Sequence, residues 1–423
     1  MISKAGYTEA FVWIWLPEET VPVVAGRLEA HDGKIQFNYG KSYLERLQDS
    51  TPVMSIYDVE LPLKPGILPL LDGLSMPGSI RDAAPDAWGR RIIINRKLGI
   101  KGANTDTFQL DELTYLLESG SDRIGALDFQ CSPTDYQPRL AGNVSFDELI
   151  DSAARVEKGV PLTEELDQAL FHGTAIGGAR PKALIEQDSR KYVAKFSSSS
   201  DLYAVVKAEF IAMRLAQHAG LNVAQVKLES ASHKDVLLIE RFDRVKVSSG
   251  WQRKSMISAL TLFGLDDMMA RYASYEIFAE IIRHKFLNPA VTLKELFSRL
   301  IFNILCGNTD DHARNHAAFW DGKALSLTPA YDICPQNRSG NEASQAMLIS
   351  GNNNLSQVQN CIGAAHHFLL SGEQAMAIFN HQKEVIENSW EETCDEALLN
   401  ETDRKLLWNR QFLNPFVLYG LDE

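Results

Sequence analysis

The stretch that most constrains this chain runs from Leu296 to Asp332. An apolar run, Leu296–Cys306, has the look of a helix, and Gly307 suits its stop. The polar loop Asn308-Thr309-Asp310-Asp311-His312-Ala313-Arg314-Asn315 follows. Two short apolar runs, Ala317–Trp320 and Ala324–Leu327, then flank the turn pair Asp321-Gly322, which predicts a hairpin. Leu327-Thr328-Pro329-Ala330-Tyr331-Asp332 completes the unit. One loop thus presents Asp310 and Asn315, and a hairpin returns the chain so that Asp332 can face them.

Phosphoryl transfer needs such a set. A carboxylate orients the attacking hydroxyl and accepts its proton, while an amide oxygen and a second carboxylate hold Mg²⁺ against a triphosphate. Asp310 is the candidate base, and Asn315 and Asp332 are the candidate metal ligands. Protein kinases use the same Asp-x-x-x-x-Asn spacing and a later metal-binding Asp. A single histidine beside two acids argues little for zinc, which favours more His or Cys. His312 therefore reads as a structural residue that holds the loop.

A matching nucleotide half lies upstream. Thr174-Ala175-Ile176-Gly177-Gly178-Ala179-Arg180-Pro181-Lys182 is a glycine-containing turn without the Walker A pattern. Gly177, Gly178 and Ala179 allow close approach of backbone N–H groups to phosphates, and Arg180 or Lys182 can add positive charge. Lys195 sits in the apolar strand Tyr192–Phe196, where an ammonium must snorkel out or meet negative charge. ATP phosphates would supply it, and Glu209, on a later helix, is a candidate ion-pair partner. Val236–Ile239 is an apolar strand leading into Glu240, Arg241 and Phe242, the kind of exit at which kinases offer backbone hydrogen bonds to adenine.

The rest of the chain narrows the class. Its 423 residues allow two to four domains. With 42 basic and 55 acidic residues, the net charge of −13 repels phosphate backbones, so DNA is reached only indirectly, through a basic partner. Five cysteines without a CxxC pair predict reduced thiols and a cytoplasmic protein. No apolar stretch is long enough to cross a membrane. Phe11–Leu16, cut off by Pro17, reads as a strand rather than a signal peptide. Val21–Leu28 and Lys34–Tyr39 read as further strands around a His31-Asp32-Gly33 turn. Helices are predicted at Ala83–Lys97, Asp111–Glu118, Ser145–Val156 and Leu202–Ala219, the last capped by Asp201 and ended by Gly220. Strands are predicted at Ala183–Glu186, Lys191–Phe196, Val223–Leu228 and Val236–Ile239, with a mainly helical chain after Lys254. Ser132–Gly142, rich in breakers, is the predicted domain boundary.

In this order, Gly177–Lys182, Leu238-Ile239-Glu240-Arg241-Phe242-Asp243, Asn308–Asn315 and Pro329-Ala330-Tyr331-Asp332 resemble the signatures of the HipA family. Asp82-Ala83-Ala84-Pro85-Asp86-Ala87-Trp88-Gly89-Arg90 resembles the end of its N-terminal domain. The resemblance implies an α+β, protein-kinase-like two-lobed fold, with a β-rich N-lobe, a mainly helical C-lobe and an additional N-terminal β-rich domain. The corresponding divisions are 1–142, 143–245 and 246–423. It implies a serine/threonine protein kinase that uses ATP and Mg²⁺, acting as the toxin of a toxin–antitoxin pair. Asp310 is then the catalytic base, and Asn315 and Asp332 bind the metal. Lys195 and the Gly177–Lys182 loop contact phosphates, and Glu240, Arg241 and Phe242 hold adenine. The implied partners are a protein of the host cell as substrate and a helix-turn-helix antitoxin of the HipB type. Family members can be silenced by autophosphorylation of a loop serine; here that position is Ala175, with Thr174 beside it. Two other readings remain open: a kinase for small molecules, and an antitoxin-binding co-repressor with weak catalysis. Gln336–Gln357, rich in Asn, Ser and Gly, reads as a mobile loop with low hydrogen-exchange protection that contributes to substrate recognition.

Overall fold

The computed structural model describes residues 6–49, 51–98, 109–140, 145–158, 180–198, 201–338 and 340–421. Contacts group the chain into two compact units. Met1–Ser199, Ser230–Ile257 and Trp320–Lys323 form the first; Ser200–Glu229, Ser258–Phe319 and Ala324–Glu423 form the second. Mixed helices and antiparallel sheets build them.

In the first unit, β1 (Glu9–Ile14), β2 (Val23–His31), β3 (Lys34–Tyr39) and β4 (Leu127–Gln130) form an antiparallel sheet in the order β3-β2-β1-β4. Alternation along β1 buries Ala10, Val12 and Ile14. Between β2 and β3, His31 pairs with Lys34, and Asp32 and Gly33 both take positive φ (48° and 73°), as a two-residue hairpin demands. Helix Glu112–Glu118 is capped by Asp111, whose carboxylate accepts from Thr114 N–H at 2.8 Å.

A second sheet in this unit joins β5 (Lys182–Gln187), β6 (Arg190–Phe196) and, after β7 (Val226–Ala231), β8 (Lys234–Glu240). β6 pairs antiparallel with both β5 and β8. Leu149 and Ile150, from helix Phe146–Lys158, pack with Ala183, Ala194, Phe196, Val236 and Leu238. Each large apolar side chain taken from water there contributes about 1.5–3 kcal/mol. The exit of β8 leads into a hairpin absent from the sequence reading, β9 (Arg244–Val247) with β10 (Gly250–Arg253), and then β11 (Ser255–Ser258).

Buried ions lock this exit to the segment before β4. Asp122 accepts from Arg241 Nη1 and Arg244 Nη2, both at 3.0 Å, and from Lys191. Asp243 accepts from Arg241 and Arg244, at 2.8 Å each, and from Gly125 N–H at 2.8 Å. Burial alone would raise the Asp122 carboxyl; Arg241, Arg244, Lys191 and Arg253 overcome it and hold it well below the usual carboxylate range.

The second unit is mainly helical. Helix Val205–His218 starts three residues later than its sequence predicts. Its N-cap is Ala204, which makes no side-chain bond, so Asp201 is not the cap; Gly220 follows its end with φ 82°. Helix Pro289–Leu305 begins with proline in its first turn and buries Leu293, Leu296, Phe297, Leu300, Ile301 and Ile304. Tyr275–Lys285 and the long helix Gly372–Glu396, opened by a Ser371–Gln374 capping box, complete the bundle. β12 (Ala317–Trp320) and β13 (Leu325–Leu327) lie where the hairpin is predicted. No described helix is long and apolar enough to cross a membrane.

Candidate active site

Gly307 closes helix Pro289–Leu305 with φ 73°, and a Cβ there would lie 2.6 Å from the Gln411 carbonyl oxygen. Positive φ and close approach both call for glycine. Asn308 N–H donates to Asn303 O (2.8 Å) and its Nδ2 donates to Asn303 Oδ1 (3.0 Å), which fixes the start of the loop. Within the loop, His312 N–H donates to Asp310 O and Asn315 N–H to His312 O, both at 2.8 Å.

Asn315 is buried, and its Nδ2 donates to Asp310 O at 3.2 Å. That bond occupies a donor and leaves Oδ1, the half of the amide that ligates a hard cation. Asp310 is exposed. Its carboxyl is nonetheless raised from the ordinary value, first by partial desolvation and then by the Asp332 carboxylate, with His312 opposing. Asp332 adopts left-handed backbone (φ 59°). Ala330 N–H, donating to Asn222 O at 2.8 Å, anchors the segment leading into it. Two repelling carboxylates and an amide oxygen thus share one locale. Among the described residues, no three His, Cys, Asp or Glu side chains gather as a metal cluster. This set suits Mg²⁺, which takes few protein oxygens and fills its shell with waters and phosphate.

The loop rests on a buried network that the sequence reading missed. Tyr275 OH donates to Asp311 Oδ2, and His316 Nε2 lies 3.0 Å from Asp311 Oδ1. All three side chains are buried. His316 thus braces the loop through its side chain, whereas His312 does so through its backbone; among the described residues His312 Nδ1 has no hydrogen-bond partner. Nothing in the sequence around Tyr275 marks it, because its partners lie 36 and 41 positions away. Tyr331 OH also donates to Arg314 O at 2.8 Å, and Arg314 pairs with Asp267.

Contrary to the mobile loop that composition predicts, the described residues of Gln336–Gln357 are tied down at several points. Gln336 N–H donates to Gly307 O (2.9 Å), Ala346 N–H to Thr309 O (3.0 Å) and Gln345 N–H to Asn354 O (2.7 Å). Tyr275 N–H donates to Leu348 O (2.9 Å), and Met347 and Ile349 are fully buried. These bonds predict substantial hydrogen-exchange protection.

The remaining candidates lie in the first unit. Lys182 and Lys195 are directly opposite each other across β5 and β6, and are only 3% and 8% exposed. Opposed residues share a face of the sheet, so two ammonium groups are concentrated there, an arrangement that negative charge stabilises. Glu240 pairs with Arg190 at 2.6 Å. The Arg241 side chain is committed to Asp122 and Asp243. Arg180 and Phe242 are partly buried. Gly177, Gly178 and Ala179, with Thr174 and Ala175, lie outside the described residues, as does the 141–144 stretch at the predicted domain boundary. Glu209 is buried on helix Val205–His218 of the second unit.

Against known families, residues 174–397 match the HipA-like C-terminal domain and residues 14–130 match the HipA N-terminal domain. The chain belongs to the HipA family. It is similar to Y4mE of Sinorhizobium fredii, which carries a provisional kinase name, with 27% identity over 61% of this chain and 65% of that one. It is also similar to the serine/threonine-protein kinase toxin HipA of Shewanella oneidensis, with 24% identity over 38% of this chain and 42% of the toxin. The alignments thus span two-thirds or less of these relatives. The fold resembles the Shewanella oneidensis HipA solved with HipB and operator DNA, at a TM-score of 0.68 and 19% identity, covering 93% of this chain and 97% of that one.

Proposed function

We propose that this chain is a Mg-ATP-dependent serine/threonine protein kinase and the toxin of a toxin–antitoxin pair. The observation that carries the reading is the grouping of Asp310, Asn315 and Asp332 on a braced loop and the segment that returns after the β12–β13 hairpin. Asp310 orients the acceptor hydroxyl and takes its proton; its raised carboxyl moves it toward the basicity that this task rewards. Asn315 Oδ1 and the Asp332 carboxylate hold Mg²⁺, which when bound neutralises charge on the transferring phosphoryl group. Lys182, Lys195, Arg180 and the backbone of Gly177, Gly178 and Ala179 bind nucleotide phosphates. The backbone of Glu240, Arg241 and Phe242 receives adenine, and the ion network around Arg241 holds that strand exit rigid.

The three divisions 1–142, 143–245 and 246–423 are proposed as the N-terminal domain, N-lobe and C-lobe of a kinase-like fold. A helix-turn-helix antitoxin of the HipB type is the proposed partner, because the Shewanella relative was solved with HipB and operator DNA. The acceptor is proposed to be a host protein in the cytoplasm.

Labelled ATP added to the purified chain in bacterial lysate tests the acceptor class. Label is expected in discrete protein bands and to depend on Mg²⁺. Label confined to small molecules would replace the protein-kinase reading with a small-molecule kinase, and ATP binding without any transfer would favour the co-repressor reading.

A further inference from the structure

Trp88 stands in the Asp82–Arg90 segment of the first unit, at the second position of helix Ala87–Leu98, and is fully buried. The chain is anchored on both sides of it. Arg90, two residues on, forms a bidentate pair with Glu112, with both bonds at 2.6 Å, and its guanidinium lies over the Tyr115 ring at 4.4 Å. Arg90 Nε also donates to Pro85 O at 2.8 Å, and Ile93 and Ile94 pack with Tyr115. A large indole held this way presents its N–H in one place. There it meets the Lys182 carbonyl, which accepts from Trp88 Nε1 at 3.2 Å.

The register of β5 explains why that carbonyl takes a side-chain donor. Phe196 N–H donates to Pro181 O at 3.1 Å, so residues 181 and 196 form a hydrogen-bonded pair. Such pairs alternate along an antiparallel ladder, which makes Lys182 and Lys195 a non-hydrogen-bonded pair. The Lys182 carbonyl therefore points away from β6. Because β5 is the end strand of its sheet, no further strand among the described residues receives it. Side chains of a non-hydrogen-bonded pair also lie closer than those of a bonded one, which brings the two buried lysines near each other. Pro181 weakens the ladder at this end, since it has no N–H to return to Phe196. The Trp88 bond holds β5 where β6 holds it least.

We propose that Trp88 is a positioning residue for nucleotide phosphates: its indole N–H fixes the first residue of β5 so that the Lys182 ammonium stays beside that of Lys195. The inference rests on the kinase reading, which brings a polyphosphate to these two lysines. Like charges directly opposite each other on a sheet repel, and a loosely held strand end lets them spread apart. The tethered carbonyl resists that movement, so the pair stays preorganised and its repulsion is relieved when phosphate binds. Through Trp88 the HipA N-terminal domain, matched over 14–130, takes part in nucleotide binding by the domain matched over 174–397.

The test uses the full chain, titrated calorimetrically with Mg-ATP and separately with adenosine, which lacks the phosphates. Trp88→Phe keeps an aromatic ring in place and removes the N–H. Its Kd for Mg-ATP is expected to rise about five- to tenfold, the scale of one lost hydrogen bond, while its Kd for adenosine stays within about twofold of wild type. Lys182→Met weakens Mg-ATP binding by itself, and adding Trp88→Phe to it is expected to change that binding by less than about twofold, because the effect runs through Lys182. Wild type that binds no ATP removes the kinase reading and this role with it. Wild type that binds ATP, with Trp88→Phe binding it equally well, overturns this role alone. So does a loss of equal size for ATP and adenosine, or one undiminished in the Lys182→Met background, since either assigns Trp88 to packing. If Trp88→Phe does not fold, wild type decides. By reciprocity the Trp88 indole proton should exchange with solvent about fivefold more slowly with Mg-ATP bound than with adenosine bound, and equal exchange overturns the proposal.

Discussion

Asp122 in the first unit and Asp310 in the second are both loop acids, yet their surroundings move their carboxyls in opposite directions. Asp122 meets Arg241, Arg244 and Lys191 and is held well below the ordinary range. Asp310 meets Asp332 and partial desolvation, and is raised. The buried arginines repeat the contrast. Arg123 places Nε on Asp128 and its other two nitrogens on the Ala83 and Leu116 carbonyls, whereas Arg338 Nε and Nη2 find no hydrogen-bond partner among the described residues. Around Asp122 and Arg123 charge is matched inside the fold and serves architecture. At Asp310 it is left repelling, where a metal or a nucleotide can complete it.

The comparison breaks most visibly in stability. Asp122→Asn leaves buried guanidinium groups short of a counter-charge and is expected to cost about 3–5 kcal/mol in chemical denaturation. A loss under 1 kcal/mol would mean that the network is not structural. Tyr275→Phe removes the hydroxyl from the Asp311–His316 pair and is expected to cost about 1–3 kcal/mol, with slower transfer as the loop loosens. An unchanged melting curve and rate would remove that network from the account. Asp310→Asn is expected to leave Tm unchanged or slightly higher, since it relieves the repulsion with Asp332; a clear drop would show that the acid is paired.

The pH dependence sharpens the same contrast. Asp122, depressed on folding, contributes stability that is fully present above the unfolded carboxylate range and lost as pH falls through its folded value. Asp310, raised on folding, contributes stability at low pH that is lost as pH rises through its folded value. Asp122→Asn should therefore flatten the acid limb of the stability profile, and Asp310→Asn should not. In direct titration of the metal-free chain, the Asp310 carboxyl should lie above the ordinary aspartate value and move down in Asp332→Asn. A titration that ignores Asp332 would separate the two carboxylates.

Much of this was legible in local sequence. The β2–β3 turn announces itself in Asp32-Gly33, and the β12–β13 hairpin in Asp321-Gly322. The Asp310–Asn315 spacing marks the loop because five positions of chain are local. What escaped was non-local. Asp122 and Arg241 are 119 positions apart, and no pattern near either joins them. Composition misled at Gln336–Gln357, where Asn, Ser and Gly read as a loose loop. The deciding residues were Met347 and Ile349, whose alternate burial anchors the segment. Lys195 stood out as a lysine in an apolar strand and Lys182 as a positive charge in the glycine-containing turn, but only the β5–β6 register sets them opposite each other.

The most direct test of the central claim is phosphate transfer from labelled ATP by wild type and Asp310→Asn, measured beside the melting curves of both. The account predicts that transfer falls about 10²–10⁴-fold in the variant, the range expected for losing a general base, while the fold persists. Transfer that survives in a folded Asp310→Asn protein would contradict it.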